Sequence, residues 1–440
     1  MVLDSGNRAP AILRPIQRFL RIEAGGGGIL LVAALVATVW INSPAAANYQ
    51  ALRAAFTTIR LWHFEFELGL VHLVNDALMT VFFFAVGMEI KRELVRGELS
   101  RPARAMLPGI AALGGMVAPV AIFLAFTWNE PARTGWGIPM ATDIAFSLAI
   151  LSMMRGRVPQ EMFVFLTALA IVDDIGGILV IAVFYGGGVE PLWLTAAGVV
   201  TAGLVVVPRV RKHVVLLDVI GVCALWYVFE RGGVHPTLAG VVAGLAVPAR
   251  SPRVLPSVLD DLARLADALR EHKSPDAELE AAELGALEDK LEDVQAPVDI
   301  LLRRIHPWVG FLVLPLFAFL NAGIELGAVP MSALRAPVVL GTAFGLALGK
   351  PIGIAGATWL GAWIMRTGLP GRTSYVQLVG VAAIAGVGFT LALFIAAIAY
   401  SNDPELFAGA RLGIVLGSIA AATIGSSFLL VSHRLGKARM

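Results

Sequence analysis

Two adjacent aspartates, Asp173 and Asp174, sit near the middle of the apolar run Leu166–Ile181. A charge at the centre of a bilayer costs roughly 3 kcal/mol on insertion scales, and two side by side also repel each other. Carboxylates at that depth mark ion or proton pathways; the blander reading is one acid bonded to a neighbouring helix with a second tolerated beside it. Successive helix residues point about 100° apart, so the two acids cannot both face one partner. They require a counter-cation and a separate ion-binding cavity.

The chain offers residues for both. Lys350, in Leu346–Gly353, lies too deep in its apolar stretch for easy snorkelling and is the natural counter-cation. It would serve as a structural pair or exchange protons with the aspartate. Thr142 and Asp143 follow Gly137 and Pro139. Proline removes a backbone donor and glycine loosens the turn, so a helix break is expected just before them. A hydroxyl, a carboxylate and freed carbonyls are hard oxygen ligands for a small hard cation. Gly386, Gly388 and Thr390 form a similar weak point far along the chain.

These residues need a membrane to make sense. Of 440 residues, 58% are hydrophobic and 15% charged, with a mean hydropathy of +0.79. Soluble domains carry about 25% charged residues, so this is an all-α, polytopic membrane protein. The net charge of +2 gives no sign of a nucleic-acid partner, and one cysteine, Cys223, allows no disulfide framework. Twelve spans are expected, at 22–41, 69–90, 105–127, 136–153, 160–185, 191–207, 213–230, 234–248, 304–325, 337–364, 373–399 and 408–432. An uncleaved first helix fits the start better than a signal peptide, because many spans follow. Most of the 34 Lys and Arg fall on one side, which places both termini in the cytoplasm. The other side keeps Arg53, Arg60, Arg133, Arg231, Arg335 and Arg411. The whole of 1–440 reads as one transmembrane transporter domain carrying an external hairpin at 44–68 and a cytoplasmic insert at 249–300. Alternation in Trp62–Leu68 suggests strand, and an exposed strand edge invites a second copy; an ordered monomeric loop is the alternative. The insert reads as a solvated appendage, with helices near 257–272 and 276–293.

Spans four and eleven occupy corresponding places in two halves of the chain, and both carry a break. Paired interruptions of this kind point to an inverted-repeat transporter with its site at the breaks. His72, Asn75 and Asp76 are further polar residues in span two, which ends in Glu89, Lys91, Arg92 and Glu93. Those charges read either as solvated interface residues or as an acidic funnel for cations. His235 and His306 lie near span ends, where a histidine caps a backbone or responds to pH. No HExxH, Walker A or CxxC pattern suggests hydrolysis, ATP use or a zinc site.

Taken together the motifs resemble the NhaA-type bacterial sodium/proton antiporters. They are Asn75–Met79, Val86–Leu94, Ala141–Phe146, Ala168–Asp174, Gly233–Gly240, His306–Trp308, Leu314–Phe319, Gly349–Pro351 and Gly388–Thr390, in family order over nearly the whole chain. The resemblance implies twelve helices in inverted repeats, with two unwound helices crossing mid-membrane. It implies that Asp174 is the main sodium ligand, with Asp173 and Thr142 close by. Asp143 would offset partial charges at the crossing, and Lys350 would pair with Asp173. Glu89 and its charged neighbours, Glu93 among them, would belong to the cytoplasmic region linked to pH activation, and the pH-responsive reading of His235 and His306 rests on histidine's own titration. The family's external hairpin, matched by 44–68, implies a homodimer. The chain departs from the family at Leu302-Arg303, where an acid–histidine pair is usual, and its 249–300 connection is longer.

The expected function is exchange of Na+ or Li+ for H+ across a bacterial inner membrane, electrogenic and pH-regulated, by alternating access and without a resident cofactor. The expected partners are Na+, Li+ and H+, the lipid bilayer and a second copy, and no nucleic acid. A sodium-coupled organic-solute symporter is the alternative within transport, although no extra polar cluster suggests its larger cavity. An intramembrane aspartyl protease, using Asp143 and Asp174 as acid and base, is the alternative from another class. It lacks a Gly-x-Gly-Asp signature and leaves Lys350 unexplained.

Overall fold

The computed structural model describes residues 13–61, 64–154, 156–188, 190–210, 215–250, 295–328 and 332–437. Most of this is helix. Six described helices are long and apolar enough to cross a membrane: Leu70–Arg96, Pro102–Thr127, Gln160–Phe184, Pro297–Asn321, Pro337–Ile364 and Pro404–Arg434. We label the first five α3, α4, α6, α10 and α11, and call the last helix, which runs on to Lys437, α14. Three bent pairs among the described residues raise the number to nine where each pair counts as one span. They are α1 (Leu13–Ile41) with α2 (Ala46–Arg53), the turns over 131–140 with α5 (Ile144–Met153), and α12 (Tyr375–Ile384) with α13 (Phe389–Ala399). The other expected spans correspond to α7 (Pro191–Val210), α8 (Val215–Arg231) and the nine-residue α9 (Leu238–Ala246).

Before span two the chain forms an antiparallel hairpin. Strand β1 (Phe56–Leu61) pairs with β2 (Phe64–Gly69), in register from Phe56 opposite Gly69 to Leu61 opposite Phe64. From Phe64 on, the alternating stretch read at 62–68 is the second strand of a pair. The helices expected near 257–272 and 276–293 lie outside the described residues.

The chain divides into two compact units. One takes residues 1–82, 101–187 and 307–440, and the other takes 83–100 and 188–306. The core of the first is a cluster that includes Ala111 of α4, Leu148 of α5, Leu166 of α6, Ile354 of α11, Val381 of α12 and Leu429 of α14. Within it α4 and α11 approach backbone to backbone. A methyl group added at Gly114 would lie 2.3 Å from the Gly353 carbonyl, so only glycine permits this contact. Membrane helices associate through such small-residue contacts because lipid tails are as apolar as leucine. In the second unit α3 and α9 meet in the same way: a methyl at Gly87 would lie 2.5 Å from the Val241 carbonyl, and one at Gly244 2.4 Å from that of Phe84.

Among the described residues three helices carry a π-helical turn, over Leu73–Leu78 in α3, Val309–Val313 in α10 and Gly345–Gly349 in α11. Such turns add one residue and re-aim the side chains beyond them, frequently at functional sites. The third ends one residue before Lys350.

Candidate ion-binding site

The break in span four lies at Ala141–Asp143, not before it as Gly137 and Pro139 suggest. Ile138–Met140 is still a 3-10 turn, while Ala141 and Asp143 are extended. The proline stands at the start of that turn, where its missing donor does no harm. Thr142 and Asp143 are thus in the break itself. The second break covers 385–388 between α12 and α13. The bends are 45° and 47°.

The two breaks satisfy each other's backbones. The Asp143 amide donates to the Val387 carbonyl at 2.7 Å. The Thr142 hydroxyl donates to the Ala385 carbonyl, and the Ser147 hydroxyl to that of Ile384, both at 3.0 Å. The carboxylate of Asp143 serves two helix starts at once. Its Oδ1 accepts from the Phe146 amide at 3.0 Å, capping α5. Its Oδ2 accepts from the Thr390 amide at 3.0 Å and the Thr390 hydroxyl at 2.5 Å, at the first turn of α13. A helix start carries unsatisfied amides and a partial positive charge, so one carboxylate stabilises both.

Lys350 is fully buried, and its ammonium is shared between two groups. Nζ donates to Asp173 Oδ2 at 2.6 Å and to Thr142 Oγ1 at 2.8 Å. The tight packing of Gly349 against Pro119, only 2.6 Å from a methyl added at the glycine, fixes α11 here. Asp173 and Asp174 are 2% and 6% exposed on α6, and Asp174 is close enough to act electrostatically on Lys350. Asp173 Oδ1 is buried and has no hydrogen-bond partner among the described residues. The arrangement therefore holds three carboxylates, one ammonium, three hydroxyls and a pair of interrupted backbones in one unit. Chemically it can exchange a proton or a hard cation against an internal ammonium. Among the described residues no three His, Cys, Asp or Glu side chains cluster as a resident metal site.

The other residues singled out in the sequence fall in different places. Glu89 Oε1 and His306 Nε2 are 3.0 Å apart in the second unit. There Arg96 also pairs with Asp299 at 2.7 Å. Glu93 finishes α3, its Oε2 accepting from the Glu98 amide at 3.0 Å. His235 Nδ1 is 2.7 Å from the Thr237 hydroxyl, so Glu89, Glu93, His235 and His306 resolve into one pair and two local contacts. Arg303 donates to Gln295. In the first unit His72 and Asp76 are 3.0 Å apart on one helix face, and Asn75 and Asn321 exchange amide hydrogen bonds.

Thr390 and Ser147 join the site without being assigned to it by sequence reasoning. Thr390 carries a signal that could have found it, since it follows the Gly386 and Gly388 break as Thr142 and Asp143 stand in theirs. Ser147 carries none, being one serine in an apolar helix.

Comparison with known proteins bears on this geometry. Residues 17–429 match the family described as Na+/H+ antiporter 1. An Na+/H+ antiporter NhaA of Anaeromyxobacter sp. (strain Fw109-5) is 46% identical, over 97% of this chain and 93% of its own. Na+/H+ antiporter NhaA 1 of Myxococcus xanthus is 44% identical, over 95% and 93%. An Na+/H+ antiporter NhaA of Rhodospirillum rubrum is 42% identical, over 96% and 98%.

Proposed function

The chain belongs to the Na+/H+ antiporter 1 family, and from that membership we propose how its residues exchange sodium for protons. It is a multi-pass protein of the inner membrane and a transporter, not an enzyme. Asp173, Asp174 and Thr142 form the transient cation site. The observation that carries this reading is the Lys350 ammonium, held at 2.6 Å by Asp173 and at 2.8 Å by Thr142. That ammonium occupies the position a sodium ion would take between the same oxygens. Sodium and the lysine charge then exclude each other. Loading requires ionised carboxylates, so protons and sodium compete for one site. Two protons released for one sodium would move net charge and make exchange respond to membrane voltage. Asp143 is the charge-compensating residue, holding the two breaks in place while the site changes hands.

Twelve spans in inverted repeats, with the two broken spans crossing at the site, would permit alternating access by rocking one bundle against the other. The basic-residue bias supports cytoplasmic termini. Lithium, another small hard cation, is a second substrate. Glu89 and His306 respond to pH, with Glu93 and His235 in lesser roles. The β1–β2 hairpin joins two copies; a hairpin-deleted protein that stays dimeric in native mass measurement rules that out.

The test of the whole reading is fluorescence dequenching in everted vesicles lacking other antiporters, with Na+, Li+ and K+ added across a pH series. Na+ and Li+ collapse the proton gradient and K+ does not. Apparent sodium affinity rises about tenfold per pH unit for each proton displaced, up to the pH at which the acids are ionised. An affinity independent of pH overturns the competition, and uptake of an organic solute with sodium but without proton movement favours the symporter.

A further inference from the structure

Far from the aspartates in sequence, the first unit gathers a second group of charges. Tyr49 of α2 is fully buried, its ring edge-on to Phe319 at 5.5 Å and its hydroxyl donating to the Phe319 carbonyl at 2.5 Å. Arg53, one turn on, has its guanidinium 6.0 Å from the Tyr49 ring. Arg411 of α14 lies 5.5 Å from the ring of Phe407. Both guanidinium groups act electrostatically on Tyr49, and they repel each other. The segment that faces them is pinned: Asn42 donates to the Ile324 carbonyl at 2.6 Å and accepts from the Leu326 amide at 2.8 Å. Glu325 is the carboxylate near Arg411, and it accepts from Gln50 Nε2 at 2.7 Å.

Two features of this group have no explanation within the described chain. Arg53 Nε and Arg411 Nε are both buried, and neither has a hydrogen-bond partner. Neither guanidinium makes an ion pair with a carboxylate among the described residues. A buried donor left without an acceptor is disfavoured, and a charged one more so. Arginine cannot relieve this by losing its proton. Among the described side chains, one nearby acid is set against two guanidinium groups, an excess of positive charge. Both groups lie among the few basic residues on the side that the sequence assigns to the outside. Each is braced against an aromatic ring, so little side-chain freedom is lost on binding.

We propose that Arg53 and Arg411 form a binding site for an anionic phosphate group, each guanidinium supplying its buried Nε–H and the Tyr49–Phe319 contact holding the floor. The planar fork of arginine matches phosphate oxygens, and one doubly contacted anion satisfies both orphaned donors and cancels their repulsion. A phospholipid headgroup and free phosphate share this chemistry.

The full-length protein in a neutral detergent tests the site by native mass measurement and thermal unfolding. The probes are short-chain phosphatidylglycerol, phosphatidylcholine of equal chain length, and inorganic phosphate. Phosphatidylglycerol binds at least about tenfold more tightly to the unaltered protein than to the Arg53→Gln, Arg411→Gln double variant, the loss expected for a charge-assisted contact. If phosphate shows the same difference, the ligand is the free anion; if phosphatidylglycerol alone does, it is a headgroup. Glu325→Gln keeps the Gln50 contact, removes the competing charge and strengthens binding. Equal binding of both anionic probes to the unaltered protein and the double variant overturns the proposal. Should the double variant not fold, Arg411→Lys and Glu325→Gln decide: unchanged affinity in both overturns it equally.

Discussion

The buried carboxylates of the first unit and the Glu89–His306 pair of the second are both acids facing a base at close range. They differ in what surrounds them. Lys350 and Asp173 are 0% and 2% exposed, and their partners come from three separate elements. The side chains of Glu89 and His306 retain 13% and 14% exposure. The remaining exposure of the second pair lets water screen part of a change of charge there. At the first, any change must be met by another group in the site, because an unpaired charge there cannot be solvated. On the proposed function, the first arrangement must rearrange when its protonation changes, whereas the second pair is expected only to bias that change.

Asp174→Asn is the strongest test of that contrast. The amide keeps the shape of the side chain and cannot titrate or balance a cation. Exchange should fall to background in the dequenching assay at every pH. Full exchange by this variant would end the distinction, because a site without its acid would still be working. Lys350→Ala comes next. It leaves a buried carboxylate without its cation, and breaking such a pair typically costs about 3–5 kcal/mol. Thermal stability in detergent should drop and be partly restored by adding Asp173→Asn. A double variant no more stable than Lys350→Ala alone would show that the 2.6 Å contact is not what stabilises the region.

Thr390→Val is a smaller perturbation and sharpens the role of Asp143. It removes the 2.5 Å hydroxyl contact and leaves the backbone amide in place. The loss should resemble that of a helix cap, about 1–2 kcal/mol, read as a lower unfolding temperature. No change would mean that the amides alone hold the carboxylate. The same region shows how far the sequence could be read. The apolar context of Asp173, Asp174 and Lys350 points to a buried charge system, because membrane energetics make each of them too costly to be incidental. The breaks are legible as breaks, through Pro139 and the glycines. Their position and mutual bonding are not, because proline is harmless at the start of a 3-10 turn and the carbonyl partners, Ala385 and Val387, are backbone groups with no residue-type signal. The π-helical turn before Lys350 is equally silent, since Gly345–Gly349 is ordinary membrane-helix sequence. The local alternation at 62–68 signals a strand, but its partner, Phe56–Leu61, alternates too weakly to be seen.

The smallest expected effect concerns the less deeply buried pair, Glu89 and His306. Glu89→Gln keeps a hydrogen-bonding partner beside His306 and removes a charge. If this pair only biases the transport equilibrium, the variant should reach the same maximal exchange as the unaltered protein, with the pH at which exchange begins displaced. His306→Gln should displace it as well, and the double variant should shift no further than the larger single change, because the two residues act as one pair. Dequenching measured in half-unit pH steps gives both quantities at once. A Glu89→Gln protein with an unmoved onset would remove the pair from the pH response. A large loss of maximal rate at every pH would place it in the transport step, and the separation between a site that must rearrange and a pair that only biases would fail.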